Sequence, residues 1–182
     1  MGGTLRLQSQ LERGTTFFFH LTFPRPAAVS ELLAPAAAAK SYEGLRGLRV
    51  LVAEDNPINQ WIAVAVLENQ GVRVEAVGDG TAALARLRAN VYDAAILDIK
   101  MPGLSGMQVT VAIRSYPDAR HAQLPIIALT ANAFNADRAA YMAAGMNATL
   151  TKPYEEDELC QLLLRVIQRP PGAETEEELP RQ

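Results

Sequence analysis

The sequence predicts an α/β fold: a five-stranded, doubly wound parallel sheet over residues 45–169, with strand order 2-1-3-4-5, preceded by a β-hairpin-like segment. Strand and helix signals alternate five times between residues 45 and 169. Units of that kind pack as a parallel sheet with helices on both faces. The first, third and fourth strand candidates, LRVLVA (48–53), YDAAIL (92–97) and PIIALT (125–130), are nearly continuous apolar runs. Strands covered on both faces read in this way. The common order for five such strands sets the first beside the third.

The elements follow in order. Residues 1–24 hold TLRLQSQ and TTFFFHLTF, two β-prone stretches joined by Leu11-Glu12-Arg13-Gly14, the pattern of a hairpin. Residues 25–44 carry scattered prolines, the run Ala36 to Ala39 and few charges, and read as a linker. After the first strand, Asn56 is placed to cap a helix with Pro57 in its first turn. Ile58, Ile62, Ala65 and Val66 share one face of that helix, and Gly71 can adopt the left-handed conformation that ends it. VRVEAV (72–77) is the second strand, and Asp79-Gly80 opens a helix over 80–90. The third strand leads to a helix near 106–115, and the fourth to a helix over about 134–144 that stops at Gly145. ATL (148–150) is the fifth strand. The final helix, 155–168, places Leu159, Leu162, Leu163, Val166 and Ile167 at core spacing. From Pro170 the chain runs through Pro-Pro-Gly to ETEEELP, an acidic tail expected to be disordered.

Composition narrows the function. A net charge of -3 gives no basic field for nucleic acid or an anionic membrane surface. A single cysteine, Cys160, excludes an internal disulfide and lies in a Leu-rich helical pattern where a core position is expected. No apolar run approaches the roughly 18 residues of a membrane span, and no signal peptide is visible. A cytoplasmic location is therefore expected.

The strand ends carry the chemistry. Ligands of such sheets bind outside the carboxyl ends of the strands, at the point where the order reverses. Glu54 and Asp55 end the first strand and Asp98 the third, while Thr130 ends the fourth and Lys152 follows the fifth. Carboxylates packed together repel, so either some stay protonated or a hard cation neutralises them. Oxygen ligands with no nearby Cys or His favour Mg2+, for which Mn2+ can substitute, over zinc. An acid left free of the metal can attack phosphorus, and Asp98 is the natural nucleophile. Lys152 would neutralise phosphoryl charge and the Thr130 hydroxyl would donate to a phosphoryl oxygen.

The stretches VLVAEDNPINQ, AAILDIKMPGLSGM, PIIALTA and GMNATLTKP resemble the receiver domain of two-component signalling, in the form appended to hybrid sensor histidine kinases. The resemblance implies a flavodoxin-like fold in which Asp98 accepts a phosphoryl group from phosphohistidine. It implies Mg2+ held by Asp55, Asp98 and the Lys100 backbone carbonyl, with Glu54 acting directly or through water. Thr130, Lys152 and the Ala131 amide would contact the phosphoryl group, and the Lys152-Pro153 bond is expected to be cis. The partners implied are the phosphohistidine donor domain of a parent kinase and a histidine phosphotransfer protein. The parent itself would be a histidine kinase, of a kind compatible with an inner-membrane anchor. Residues 1–24 resemble the last two strands of a histidine-kinase ATP-binding domain without its nucleotide motifs, so no ATP site is expected here. His20 and His121 are expected to be bystanders. This sequence departs from the family at Thr149, where a Tyr or Phe often stands three residues before the lysine, and at Ser105, which replaces an acid.

Two other functions fit parts of the pattern. A cofactor-binding flavodoxin-like module would need a Ser/Thr/Gly-rich phosphate loop after the first strand, and EDNP instead repels phosphate. A receiver-like domain that only binds partners would not need competent residue types at all five site positions.

Overall fold

The computed structural model describes residues 3–10, 14–21, 42–131 and 135–168. They belong to two units. In the first, β1 (Gly3–Gln10) and β2 (Gly14–Leu21) pair antiparallel, with Leu7 opposite Phe17 and Gly3 opposite Leu21. The expected hairpin pairing is present. Leu7, Phe17 and Phe19 are exposed on it, and a two-stranded ribbon with its apolar side chains in water is marginally stable. The residues between these strands, the linker stretch 25–41 and the acidic tail 170–182 lie outside the described residues.

The second unit is the α/β sheet. A 3-10 turn, Glu43–Leu45, precedes it and buries Leu45. Tyr42, just ahead of the boundary drawn at residue 45, already packs on this unit: its hydroxyl donates to Asp157 Oδ1 at 3.1 Å, and Gln70 Oε1 accepts from its backbone N–H. The strands are β3 (Arg49–Ala53), β4 (Arg73–Val77), β5 (Ala94–Asp98), β6 (Ile126–Thr130) and β7 (Ala148–Thr151). Every pairing among them is parallel, in the order β4-β3-β5-β6-β7. That is the predicted 2-1-3-4-5 arrangement. The helices are α1 (Pro57–Asn69), α2 (Gly80–Ala89), α3 (Gly106–Arg114), α4 (Ala119–Ala122), α5 (Asn135–Ala143) and α6 (Glu156–Gln168). One of these, α4, was not anticipated. It is a single turn capped by Asp118, and it holds His121.

Alternation along the strands builds a core on each face. Val50, Val52, Ile96, Ile127 and Leu129 pack under α1 and α6 with Leu67, Leu159 and Leu163. Leu51, Ala53, Leu97, Ile126 and Ala128 pack under α2 and α3 with Leu87, Val109 and Ile113. All five residues of β5 are buried, as expected for the central strand of a sheet covered on both sides. Cys160 is core, and burial, followed by the nearby Asp157 and Glu156 charges, pushes its thiol pKa up to about 11. In α1 the buried face is Ala63, Val66 and Leu67. Ile58, Trp61 and Ile62 instead face outward. The i, i+4 spacing of Ile58 and Ile62 marks a second apolar stripe, rotated away from the core by the 100° step of the helix.

The local signals at the helix starts are used as read. Asn56 caps α1 by accepting from Ile58 and Asn59 N–H, and Asp79 caps α2 by accepting from Ala82 N–H. Ser105 caps α3 in a full capping box with Gln108. The serine at this departure from the family thus serves as a helix cap. Gly71 and Gly145 take positive φ after α1 and α5.

Gly106 sits where α3 crosses the end of β5, and a Cβ there would collide with the Asp98 carbonyl oxygen. Gly106→Ala is expected to destabilise the chain by about 1–3 kcal/mol, the range for overpacking a filled site. Urea denaturation of the two forms checks this; equal midpoints would contradict it.

Candidate functional site

The carboxyl ends of β3, β5, β6 and β7 converge on one cluster of polar side chains. Glu54, Asp55 and Asp98 each offer a carboxylate oxygen, and these atoms all lie within 4.8 Å of one another. Glu54 is 1% exposed and Asp98 7% exposed, whereas Asp55 opens to solvent. None of the three caps a helix, because Asn56 and Ser105 hold those positions. Acids that follow strands commonly serve as caps. Here they are left over for something else.

Lys152 bridges the cluster. Its Nζ donates to Glu54 Oε2 at 2.5 Å and to Asp98 Oδ2 at 2.7 Å. The Lys152-Pro153 bond that follows is cis, as expected. Burial of the ammonium works to lower its pKa, but hydrogen bonds to Asp98 and Glu54, with their charges, outweigh burial and hold it above the ordinary lysine value. Burial, and then the Glu54 charge, pushes the Tyr154 phenol up as well.

Asp98 is gripped on both oxygens, since Oδ1 accepts from the Lys100 backbone N–H at 3.2 Å. The Lys100 main chain therefore runs beside the acid. Thr130 is buried at the end of β6, and its carbonyl accepts from Lys152 N–H at 2.7 Å. That bond fixes the start of the Lys152 side chain. Ala131 is exposed one residue beyond. Of the predicted residues, Glu54, Asp55, Asp98 and Lys152 are brought together directly, with Lys100 and Thr130 bound to them through the main chain.

Three polar neighbours of the site escaped the sequence reading. Asn59 Nδ2 donates to Glu54 Oε1 at 3.2 Å. Gln60 Nε2 donates to the Glu54 carbonyl at 3.0 Å and to the Val77 carbonyl at 2.9 Å. Tyr141 of α5 places its hydroxyl 3.5 Å from Thr130 Oγ1. The signal for the first two was present: consecutive amides in the first turn of a helix that starts at the site. Tyr141 gave none, because its contact depends on how α5 packs. His121 lies away from these groups, edge-on to Tyr116 and 3.3 Å from Asp118 Oδ2.

One ammonium does not balance three carboxylates. The donor set is oxygen only, two of its members are buried, and the excess is anionic. This fits a hard divalent cation such as Mg2+. Among the described residues, no helix is long and apolar enough to cross a membrane.

Comparison with known proteins bears on the same region. Residues 50–164 match the profile of the response regulator receiver domain. The chain is similar to the sensor histidine kinase GacS of Pseudomonas protegens, 37% identical over 166 residues covering 81% of this chain. It is similar along its whole length to the sensor histidine kinase AruS of Pseudomonas aeruginosa, at 33% identity. It spans only 18% of the length of each of these relatives. Among solved structures, the receiver domain of a sensor histidine kinase from Pseudomonas aeruginosa superposes with a TM-score of 0.63 at 41% identity, over 68% of this chain and 99% of that one. That structure holds a magnesium ion coordinated in its active-site cleft.

The Lys152 ion pairs give a pH dependence with a definite sign. A group whose pKa is raised by folding contributes stability that is complete below its ordinary value, here 10.5, and is lost as pH climbs through the higher folded value. In metal-free buffer, stability is expected to fall as pH passes that range, and Lys152→Met is expected to flatten the fall. Denaturation midpoints of both forms across alkaline pH check this, and parallel curves would contradict it.

Proposed function

The chain belongs to the response regulator receiver domain family, and from that premise we propose that it is the phosphoacceptor domain of a phosphorelay, with Asp98 taking a phosphoryl group from phosphohistidine. The observation that carries the reading is the anionic excess at Glu54, Asp55 and Asp98, with Lys152 the ammonium set against it. Glu54, Asp55, Asp98 and the Lys100 carbonyl would hold Mg2+, which when bound neutralises phosphoryl charge and orients the transferring group. The magnesium seen in the Pseudomonas aeruginosa relative supports this choice of metal.

Transfer then needs little from the protein beyond position and charge. A carboxylate oxygen of Asp98 forms the new O–P bond while the P–N bond to the donor imidazole breaks, and the leaving ring takes up a proton. The Lys100 N–H holds the other oxygen of Asp98 in place. Lys152 follows the negative charge from the carboxylate to the phosphoryl oxygens. Thr130 and the Ala131 amide supply donors from the end of β6. Engagement of Thr130 would draw its hydroxyl from Tyr141 and so shift α5. This gives an aromatic contact to the switch on a helix, where Thr149 supplies none from the strand.

The reading extends to the parent protein. Residues 45–169 form the receiver, and residues 1–24 are the end of a histidine-kinase ATP-binding domain, a view supported by similarity to AruS along the whole chain. Phosphoryl transfer either regulates that parent, on the cytoplasmic side of the membrane, or passes on to a histidine phosphotransfer protein. Ile58, Trp61 and Ile62 stand exposed on the helix whose first turn holds Glu54. They offer an apolar seat for a histidine-bearing partner beside Asp98.

Incubation with acetyl phosphate and Mg2+ is expected to add one phosphoryl mass to the intact chain, and Asp98→Asn is expected to abolish the gain. Labelling that persists in Asp98→Asn, or that ignores chelation of Mg2+, would contradict the proposal. Trp61→Ala is expected to slow transfer between Asp98 and a phosphohistidine partner about tenfold, the scale of losing an aromatic anchor, while labelling by acetyl phosphate stays unchanged. Rapid-quench transfer assays check this. Equal slowing with both donors would assign Trp61 to the chemistry instead of docking.

A further inference from the structure

Glu54 is fixed more completely than the other two acids. Its Oε1 accepts from Asn59 Nδ2 at 3.2 Å and from the Asn56 backbone N–H at 3.4 Å, both at the start of α1. Its Oε2 turns the opposite way, to Lys152. Its backbone N–H donates to the Val77 carbonyl at 3.1 Å. Gln60 Nε2 then donates to both the Glu54 and Val77 carbonyls. This bridge lies just beyond Ala53 and Val77, where the register between β3 and β4 ends. Two adjacent amides thus hold one acid, Asn59 by its carboxylate and Gln60 by its main chain.

We propose that Asn59 and Gln60 are positioning residues for the metal, a two-point clamp that turns a single oxygen of Glu54, Oε2, toward the cation position. The proposal rests on the metal-dependent reading above. An unheld glutamate has several rotatable bonds to order when a cation arrives, and that ordering weakens binding. With Oε1 occupied by Asn59, the carboxylate cannot turn without breaking a hydrogen bond in a buried setting, where an unmade bond is costly. Lys152 holds Oε2 on its other side. With Oε1 fixed by Asn59, Oε2 is the Glu54 oxygen that would serve a divalent ion, directly or through water, and the carboxylate would not need to reorient. Groups that orient a metal ligand from behind typically change affinity by about 10- to 100-fold when removed.

Asn59→Leu keeps the size of the side chain and removes its donor. In the full chain, titrated with magnesium chloride by calorimetry, it is expected to weaken Mg2+ binding about tenfold and to lower the Tm measured in chelator modestly, since Glu54 loses a buried donor. Gln60→Leu is expected to lower both, because it withdraws a donor from two carbonyls at the strand ends. Asn59→Ala serves as a second donor-free variant should the leucine disturb folding. Wild-type Mg2+ affinity in the Asn59 variants, or a fall in Tm with affinity unchanged, overturns the clamp and leaves the phosphoacceptor reading standing. A wild-type chain that binds no Mg2+ overturns that reading and the clamp with it.

Discussion

Negative charge gathered at one end of a parallel sheet is the constraint on which the second unit of this protein turns. Glu54, Asp55 and Asp98 bring their carboxylate oxygens within 4.8 Å of one another, and two of these residues are buried. Such an arrangement is unfavourable unless a cation enters it. Lys152 provides part of the answer and is held where it must be by the Thr130 carbonyl. The remainder is a capacity to bind a divalent ion, and the proposed chemistry grows from that capacity. The same ammonium that joins Glu54 to Asp98 is the one proposed to follow charge onto a phosphoryl group.

The fold delivers this charge without spending the acids on local structure. Polar residues beside them, Asn56 and Ser105, take the capping work at α1 and α3. The close approach of Gly106 to the Asp98 carbonyl lets α3 begin directly over the end of β5. Parallel pairing then sets every strand end on the same side, so Asp98 opposite Leu129 and Thr130 opposite Thr151 place acid, hydroxyl and lysine in adjacent rows. Packing on both faces makes that geometry stiff, since each central strand is clamped by helices from two directions. A site assembled from strand ends inherits this rigidity.

Much of this was legible in the residues alone. The order of the sheet, the capping of α1 by Asn56, the cis Lys152-Pro153 bond and the meeting of Glu54, Asp55 and Asp98 agree with what the sequence implies. The cis bond was implied by the family resemblance; the others rest on period, turn chemistry and topology, which a linear chain displays. What escaped depends on three-dimensional choice. Ile58 and Ile62 have helical spacing, but so do Ala63, Val66 and Leu67, and only packing decides which stripe is buried. The short helix α4 is one turn capped by Asp118, too short to display a helical period. The grip of Asn59 and Gln60 on Glu54 required knowing that the first turn of α1 folds back over the end of β3.

The account is tested most directly by a crystal structure of this chain grown with Mg2+ and beryllofluoride, a phosphoryl mimic. It predicts one metal ion bound by Glu54, Asp55 and Asp98, the mimic bonded to Asp98, and Lys152 withdrawn from Glu54 to the fluorides. A map in which Lys152 still joins Glu54 to Asp98, with neither ion at the strand ends, would contradict it.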